Sequence, residues 1–317
     1  MTTVLALDPG YGNTKVCMDG HIACLQSAIA RPQSVGMAAI GMKTASQVDI
    51  IRLGGQEFAI GPGTWHWGSL LSGRDYSALA SLERRALAFG TLAMLLQPGS
   101  YVIDHMVVGL PVPLLKDELQ AKAVLEELKE YKDVHQFTFN GEQYEILIQR
   151  LRVLAQPIGA YADWLLDNEL HLRKGGRQAE VGVLDLGMNT LDLYVIQDGK
   201  VEPRFVGGEK VGVRSLLELL TTNGHDPEEL DADLRSGRLR VPPGQMKSWL
   251  GKVLNAVDRF WPNLTRFDAL IPAGGGALVL GDLLRLALIA KGAAVCWPED
   301  PVSANVKGLW KWGAYAA

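Results

Sequence analysis

Apolar positions along the chain fall into short runs closed by glycine-rich turns, and one such unit occurs twice. The run at 4–7 leads into Asp8-Pro9-Gly10-Tyr11-Gly12-Asn13-Thr14-Lys15-Val16. The run at 181–184 leads into Asp185-Leu186-Gly187-Met188-Asn189-Thr190-Leu191-Asp192-Leu193. In both, an Asp closes the run, a Gly follows two residues later, and Asn-Thr opens a second apolar run. The pattern predicts strand, tight turn and strand in each place. One copy alone reads equally well as an ordinary hairpin whose Asp and Gly serve the turn. Two matched copies point to paired turns facing one cleft. Each would offer backbone N–H groups to a phosphate chain and a carboxylate to the metal that accompanies it.

The remaining pattern is mixed. Short strands are predicted at 48–53 and 58–61, then a Gly- and Pro-rich loop at 61–68. Its two tryptophans, Trp65 and Trp67, either cap a small core or meet a partner; capping is the expectation, since Trp is usually mostly buried. Helical spacing covers 77–96 and stops at Pro98-Gly99. A strand at 101–110 and a charged amphipathic helix at 114–131 follow. Strands at 137–139 and 143–148 flank Asn140-Gly141, a strong hairpin signal. Residues 150–154 lead into Gln156-Pro157 and a helix to about residue 170. After the second hairpin come a strand at 201–206, ended by Gly207-Gly208, and a mostly helical stretch at 209–261. That stretch is broken at Asn223-Gly224 and at Pro242-Pro243-Gly244. A strand at 267–271 runs into Gly274-Gly275-Gly276 and a long helix to residue 290. A strand near Val295 and a last helix over 303–314 complete the chain. Strands mixed with helices predict α/β layers, and the repeated opening predicts two related lobes about a pseudo-twofold axis.

Composition narrows the class. The chain has 317 residues, 48% hydrophobic and 21% charged, which suits a two-lobed soluble globular protein. The longest apolar candidate, 277–290, is broken by Asp282 and Arg285, so no membrane span is expected. The N-terminus opens directly into a strand, without a basic segment and apolar signal core. Cys17, Cys24 and Cys296 show no metal spacing and read as reduced thiols of a cytoplasmic protein. The six histidines form no zinc pattern. A net charge of −4 argues against direct DNA wrapping. The cluster Arg235, Arg238, Arg240 reads as a solvated loop around Gly237.

Five places in order resemble the actin-like ATPase superfamily. They are the first phosphate loop (8–15), the first interdomain helix (Gln156 to Ala160), the second phosphate loop (185–192), the adenosine loop (271–277) and the closing interdomain helix (301–313). Within that superfamily the likeness is closest to the ParM-type actins that segregate plasmids, through LDPGYGNTKV and Ala304-Asn305-Val306-Lys307-Gly308. The resemblance implies an actin-like fold of two ribonuclease H-like lobes around a nucleotide cleft. The first lobe would comprise 1–150 and 298–317, with an insert at about 31–73. The second would comprise 151–297, with an insert at about 209–261.

It also implies roles. Asp8 and Asp185 would hold Mg²⁺, through water. Gly10, Tyr11, Gly12 and Asn13 would form the first ATP loop, although Pro9 offers no N–H there. Lys15 would meet the β- and γ-phosphates; otherwise it is an exposed strand lysine. Gly187, Met188 and Asn189 would line the second loop. Gly207, Gly208, Gly274, Gly275 and Gly276 would approach ribose and base. Gln156 would orient the attacking water, and otherwise simply begins a helix. A Gln there suits slow turnover, as in a timing switch. Asp192 either reaches the cleft or lies on the strand's far face. Small residues Gly159, Ala160, Ala304 and Gly308 suit a hinge, or merely close packing.

The function implied is a slow ATPase that forms nucleotide-dependent filaments and moves plasmid DNA through a separate adaptor protein. One alternative is a small-metabolite kinase of the same superfamily, with Asp192 or Asp104 as base. Another is a nucleotide-gated chaperone or regulatory module, which would normally carry an appended domain not found after Gly313.

Overall fold

The computed structural model describes residues 2–32, 48–71, 79–116, 118–220 and 227–317. The first sheet begins with β1 (Val4–Pro9), β2 (Asn13–Met18) and β3 (His21–Gln26), an antiparallel meander in which Asp8 stands opposite Lys15. β4 (Ile29–Ala30), β5 (Asp49–Leu53) and β6 (Gln56–Ile60) form its far edge. α1 (Leu82–Ala93) packs on the sheet, and its N-cap Ser81 accepts the Arg84 N–H. β7 (Gly99–Leu110) runs parallel to β1. α2 (Val112–Lys116) and α3 (Glu118–Leu128) precede β8 (Val134–Phe139) and β9 (Glu142–Ala155). The β8–β9 turn is Asn140-Gly141 with φ of 51° and 91°, the double positive φ that a tight two-residue hairpin demands. The strand order is β3-β2-β1-β7-β9-β8-β5-β6-β4.

α4 (Gln156–Leu165) leads to the second sheet, of β10 (Val181–Leu186), β11 (Leu191–Gln197), β12 (Lys200–Val201) and β13 (Gly207–Glu209). α5 (Val213–Glu218), α6 (Pro227–Arg235) and α7 (Pro243–Phe260) follow, then β14 (Ala269–Ala273), α8 (Gly275–Leu280), α9 (Asp282–Ala290) and α10 (Ala304–Tyr315). The repeat runs deeper than its hairpins. β10 is antiparallel to β11, with Asp185 opposite Asp192, and parallel to β14. β1 stands in the same relation to β2 and β7.

Two helices exchange places beneath these sheets. α4 leaves the first sheet and buries Ala160, Tyr161 and Leu165 against Val181, Val183 and Ile271 of the second. α10 comes from the second and buries Val306 and Leu309 against Val4, Ala6 and Val107 of the first. They cross backbone to backbone at Gly159 and Gly308. A Cβ on Gly308 would overlap the Gly159 carbonyl and lie 2.6 Å from the Asp163 nitrogen.

Several sequence expectations need correction. The strand expected at 201–206 is only β12: Pro203 brings no N–H to a ladder, and Pro203–Phe205 is a 3-10 turn. Gly207-Gly208 do not end the sheet but return to pair with β11. The helix expected at 114–131 is α2, α3 and a 3-10 turn at Lys129–Lys132. The helix expected to about residue 170 stops at Leu165. The one expected to 290 breaks at Gly281, whose φ of 50° lies in the left-handed region. The strand near Val295 is a single parallel bridge to Leu270. Trp65 and Trp67 are half-buried rather than core caps. The expected helix start at Ser77, the Asn223-Gly224 break and much of the insert at 31–73 lie outside the described residues.

Candidate functional site

Both repeats end at one cleft. Asp8 is 1% exposed and Lys15 8%. Lys15 Nζ donates to Asp8 Oδ2 at 2.5 Å. Gln156, the first residue of α4, donates from Nε2 to Asp8 Oδ1 at 2.6 Å. Across the cleft Asp185 Oδ2 accepts from Asn305 Nδ2 at 2.7 Å, an interaction set up by the α4–α10 crossing, which brings the start of α10 under β10. The other Asp185 oxygen lies against Gly274, where a Cβ would stand 2.6 Å from it. Gly274 also has a φ of 88°, so both space and backbone conformation require glycine. The turns themselves nearly touch: a Cβ on Gly12 would lie 3.1 Å from the Met188 Cβ.

Charge is unbalanced here. Burial and the Asp8 charge push Asp185 up to about 6, against the downward pull of Lys15 and Asn305. Burial disfavours the Lys15 ammonium, but the charge and hydrogen bond of Asp8 outweigh it and hold Lys15 above its ordinary value. One lysine therefore faces two buried carboxylates, an arrangement that fits an added divalent cation. The cleft has a volume of about 490 Å³, within the range of small-molecule sites. Beyond the polar turns, Val213, Leu234, Val241, Met246, Leu278 and Val279 supply an apolar wall beside Gly274 and Gly275.

Residues 6–159 match the family described as actin like proteins N terminal domain. The whole chain superposes on the apo ParM protein of pSK41 with a TM-score of 0.74 at 18% identity, over 99% of this chain and 98% of that one. The chain has the actin-like fold. ParM from a 15-stranded filament of Clostridium botulinum gives a TM-score of 0.74 at 18% identity, over 99% of each chain. An archaeal actin homolog, Ta0583, in complex with ADP gives 0.72 at 23% identity, over 100% of each. No curated protein matches the chain.

The actin-like cleft gathers most of the residues singled out in the sequence. Asp8, Gly10, Tyr11, Gly12, Asn13 and Lys15 line it from the first lobe, with Gln156. Asp185, Gly187, Met188, Asn189, Gly274 and Gly275 line it from the second. The buried Arg84 guanidinium lies 5.2 Å from the Tyr11 ring centroid. Gly276 packs on the Leu186 side chain instead. Gly207 and Gly208 are not among the lining residues: Gly207 backs onto the Phe260 ring and Gly208 onto Asp192. Asp192 does reach the cleft, 4% exposed, and accepts from Thr190 Oγ1 at 3.0 Å. Asp104 is elsewhere, on β7, accepting the Thr3 N–H at 2.8 Å.

Three features escaped sequence reasoning. Asn305 was visible only as part of a helix motif, yet it is 4% exposed, bonds Asp185, and its Oδ1 has no hydrogen-bond partner among the described residues. The apolar wall comes from four separate helices and one connecting segment, and no local pattern joins them. Arg235 reads as part of a solvated basic loop but stands at the cleft mouth. Arg235, Arg238 and Arg240 are all exposed, as expected from the sequence. No helix among the described residues is long and apolar enough to cross a membrane.

Proposed function

We propose that this chain binds ATP with Mg²⁺ across the cleft, hydrolyses it slowly, and assembles into filaments whose stability depends on the bound nucleotide. The observation that carries this reading is the pair of matched turns. Each contributes a buried carboxylate to one cleft, with Lys15 between them. Support also comes from relatives of the same fold, one solved as a filament and one with ADP.

Bound Mg²⁺ would neutralise phosphate charge and supply ordered water. Asp8 and Asp185 would hold it through that water. The backbone of Gly10 to Asn13 and of Gly187 to Asn189 would cradle the phosphates, and Lys15 would neutralise them. The apolar wall would take the base. Gln156, with its amide nitrogen on Asp8, keeps its amide oxygen for a water, and an amide can orient that water but is too weak a base to take its proton. The Gln156→Ala variant is therefore expected to bind ATP normally and turn over roughly 10²-fold more slowly. Polymers formed by it should persist longer. Unchanged turnover in a phosphate-release assay would reduce Gln156 to a helix start.

In this reading the protein is cytoplasmic and moves plasmid DNA through a separate DNA-binding adaptor, without touching nucleic acid itself. ATP contacts both lobes and so favours one interlobe angle. Subunits fixed at that angle can join head to tail without closing a ring. Light scattering should rise on adding Mg-ATP above a critical concentration, then fall as ADP accumulates. Sedimentation with ATP, with ADP and without nucleotide should give a pellet that tracks ATP. A protein that stays monomeric at tens of micromolar with Mg-ATP or a non-hydrolysable analogue would favour the metabolite kinase, with Asp192 as a further cleft carboxylate for a base.

A further inference from the structure

The Asn of each turn is engaged by an arginine of the second lobe. Arg235 Nη1 donates to Asn13 Oδ1 at 2.5 Å, across the cleft. Arg214 Nε donates to Asn189 Oδ1 at 3.0 Å. Asn13 closes the first turn, and Asn189 lies one position earlier in the second, level with Gly12. Both arginines bear on one helix, α6: Arg235 is its last residue and pairs with Asp231 one turn back at 2.6 Å, and Arg214, from α5, reaches Glu228 at 3.2 Å. A third tie comes from β3, where Gln26 Nε2 donates to the Glu228 carbonyl at 2.7 Å and lies 3.3 Å from Asp231 Oδ2. Gln26 is 6% exposed and Asp231 3%, so this part of the network is buried, while the Arg235 side chain stays 40% exposed at the cleft mouth.

We infer that Arg235 and Arg214 are positioning residues that fasten both phosphate turns to α6, making that helix a clasp which holds the two turns together over the cleft. A guanidinium suits this work because its planar fork can serve an amide oxygen and a carboxylate together. The two contacts matter together because one helix then senses both turns at once. A shift of either turn loosens α6, and loosening α6 frees the other turn. This deepens the ATPase reading by assigning the element that couples phosphate contacts to the interlobe angle.

The test compares wild type with Arg235→Gln, Arg235→Lys and Arg214→Gln in the full chain. In nucleotide-free protein, hydrogen exchange should quicken about three- to tenfold on α6 and on the 10–13 turn together in Arg235→Gln, the range for losing a partly exposed charged tie. Arg214→Gln should do the same for α6 and the 187–190 turn. Release of a fluorescent ADP analogue should quicken by a similar factor in both. Arg235→Lys should fail to rescue, since one ammonium cannot present the fork. Quickening confined to α6, or full rescue by lysine, would overturn the clasp. A wild type that binds no ADP analogue would sink the ATPase reading instead, while the nucleotide-free exchange still decides the clasp.

Discussion

Replacing Asp185 by asparagine is expected to stabilise the nucleotide-free protein at neutral pH while abolishing its turnover. The Asp185 carboxyl is pushed up from 3.8 to about 6. The folded state therefore binds more protons than the unfolded chain between those values, and stability falls as pH rises from about 4 to 6. Above about 6 the whole penalty is present, on the order of 2–3 kcal/mol. Below about 4 it is gone. Lys15 is charged throughout that window. Asp231, also raised by burial, gives a slope of the same sign, but in both proteins, so it cancels in the comparison. The amide oxygen of the substituted side chain can still accept from Asn305, so the fold should survive. Thermal melts should thus show Asp185→Asn several degrees above wild type at pH 7 and level with it near pH 4. Hydrolysis should fall by at least about 10²-fold, the scale of losing a preorganised charge in a closed site. Near-normal turnover would remove Asp185 from the mechanism. Equal melting curves at pH 7 would mean that its charge is already compensated.

Gly308→Ala should be the most damaging glycine-to-alanine change among the described residues. The new carbon would overlap the Gly159 carbonyl and press on the Asp163 nitrogen, both backbone and neither able to swing aside. Overpacking of a fixed contact costs about 3 kcal/mol, occasionally more. The lobes would have to separate where α4 and α10 cross, and that crossing also seats Gln156 and Asn305. Lower stability and weaker nucleotide binding are therefore expected together. Gly251→Ala is the control: this glycine lies within α7 with open space around its Cβ position. That change should stabilise by about 0.5–1 kcal/mol, since alanine loses less backbone entropy. If both variants melt like wild type, the helix crossing is looser than the geometry states.

Much of the fold was legible because local chemistry repeats it. Asp8, Gly10 and Asn13, with Asp185, Gly187 and Asn189, announce two hairpins, and each strand is apolar enough to be buried in its sheet. Asn140-Gly141 fixes the register of β8 and β9. Errors fell where one residue redirects the chain within a favourable pattern. Pro203 cut a strand that hydrophobicity would have continued, and Gly281 split a helix that periodicity would have prolonged. The positions of Gly207 and Gly208 could not be read either, because whether a glycine faces a ligand or a phenylalanine ring depends on what packs behind it.

The sequence by itself determined the two turns, their carboxylates and the order of strands and helices around them. These follow from spacing over a few residues, where backbone geometry and side-chain period leave few choices. Only the tertiary structure decided who meets those carboxylates and turns. Gln156 reaches Asp8 from 148 residues away, Asn305 reaches Asp185 from 120, and Arg235 reaches Asn13 from 222. An amide or a guanidinium looks the same in sequence whether it faces water or a buried carboxylate. What selects its partner is the crossing of α4 over α10 and the folding of α6 back across the cleft. Those placements arise from burial summed over two whole cores, and no single segment carries them.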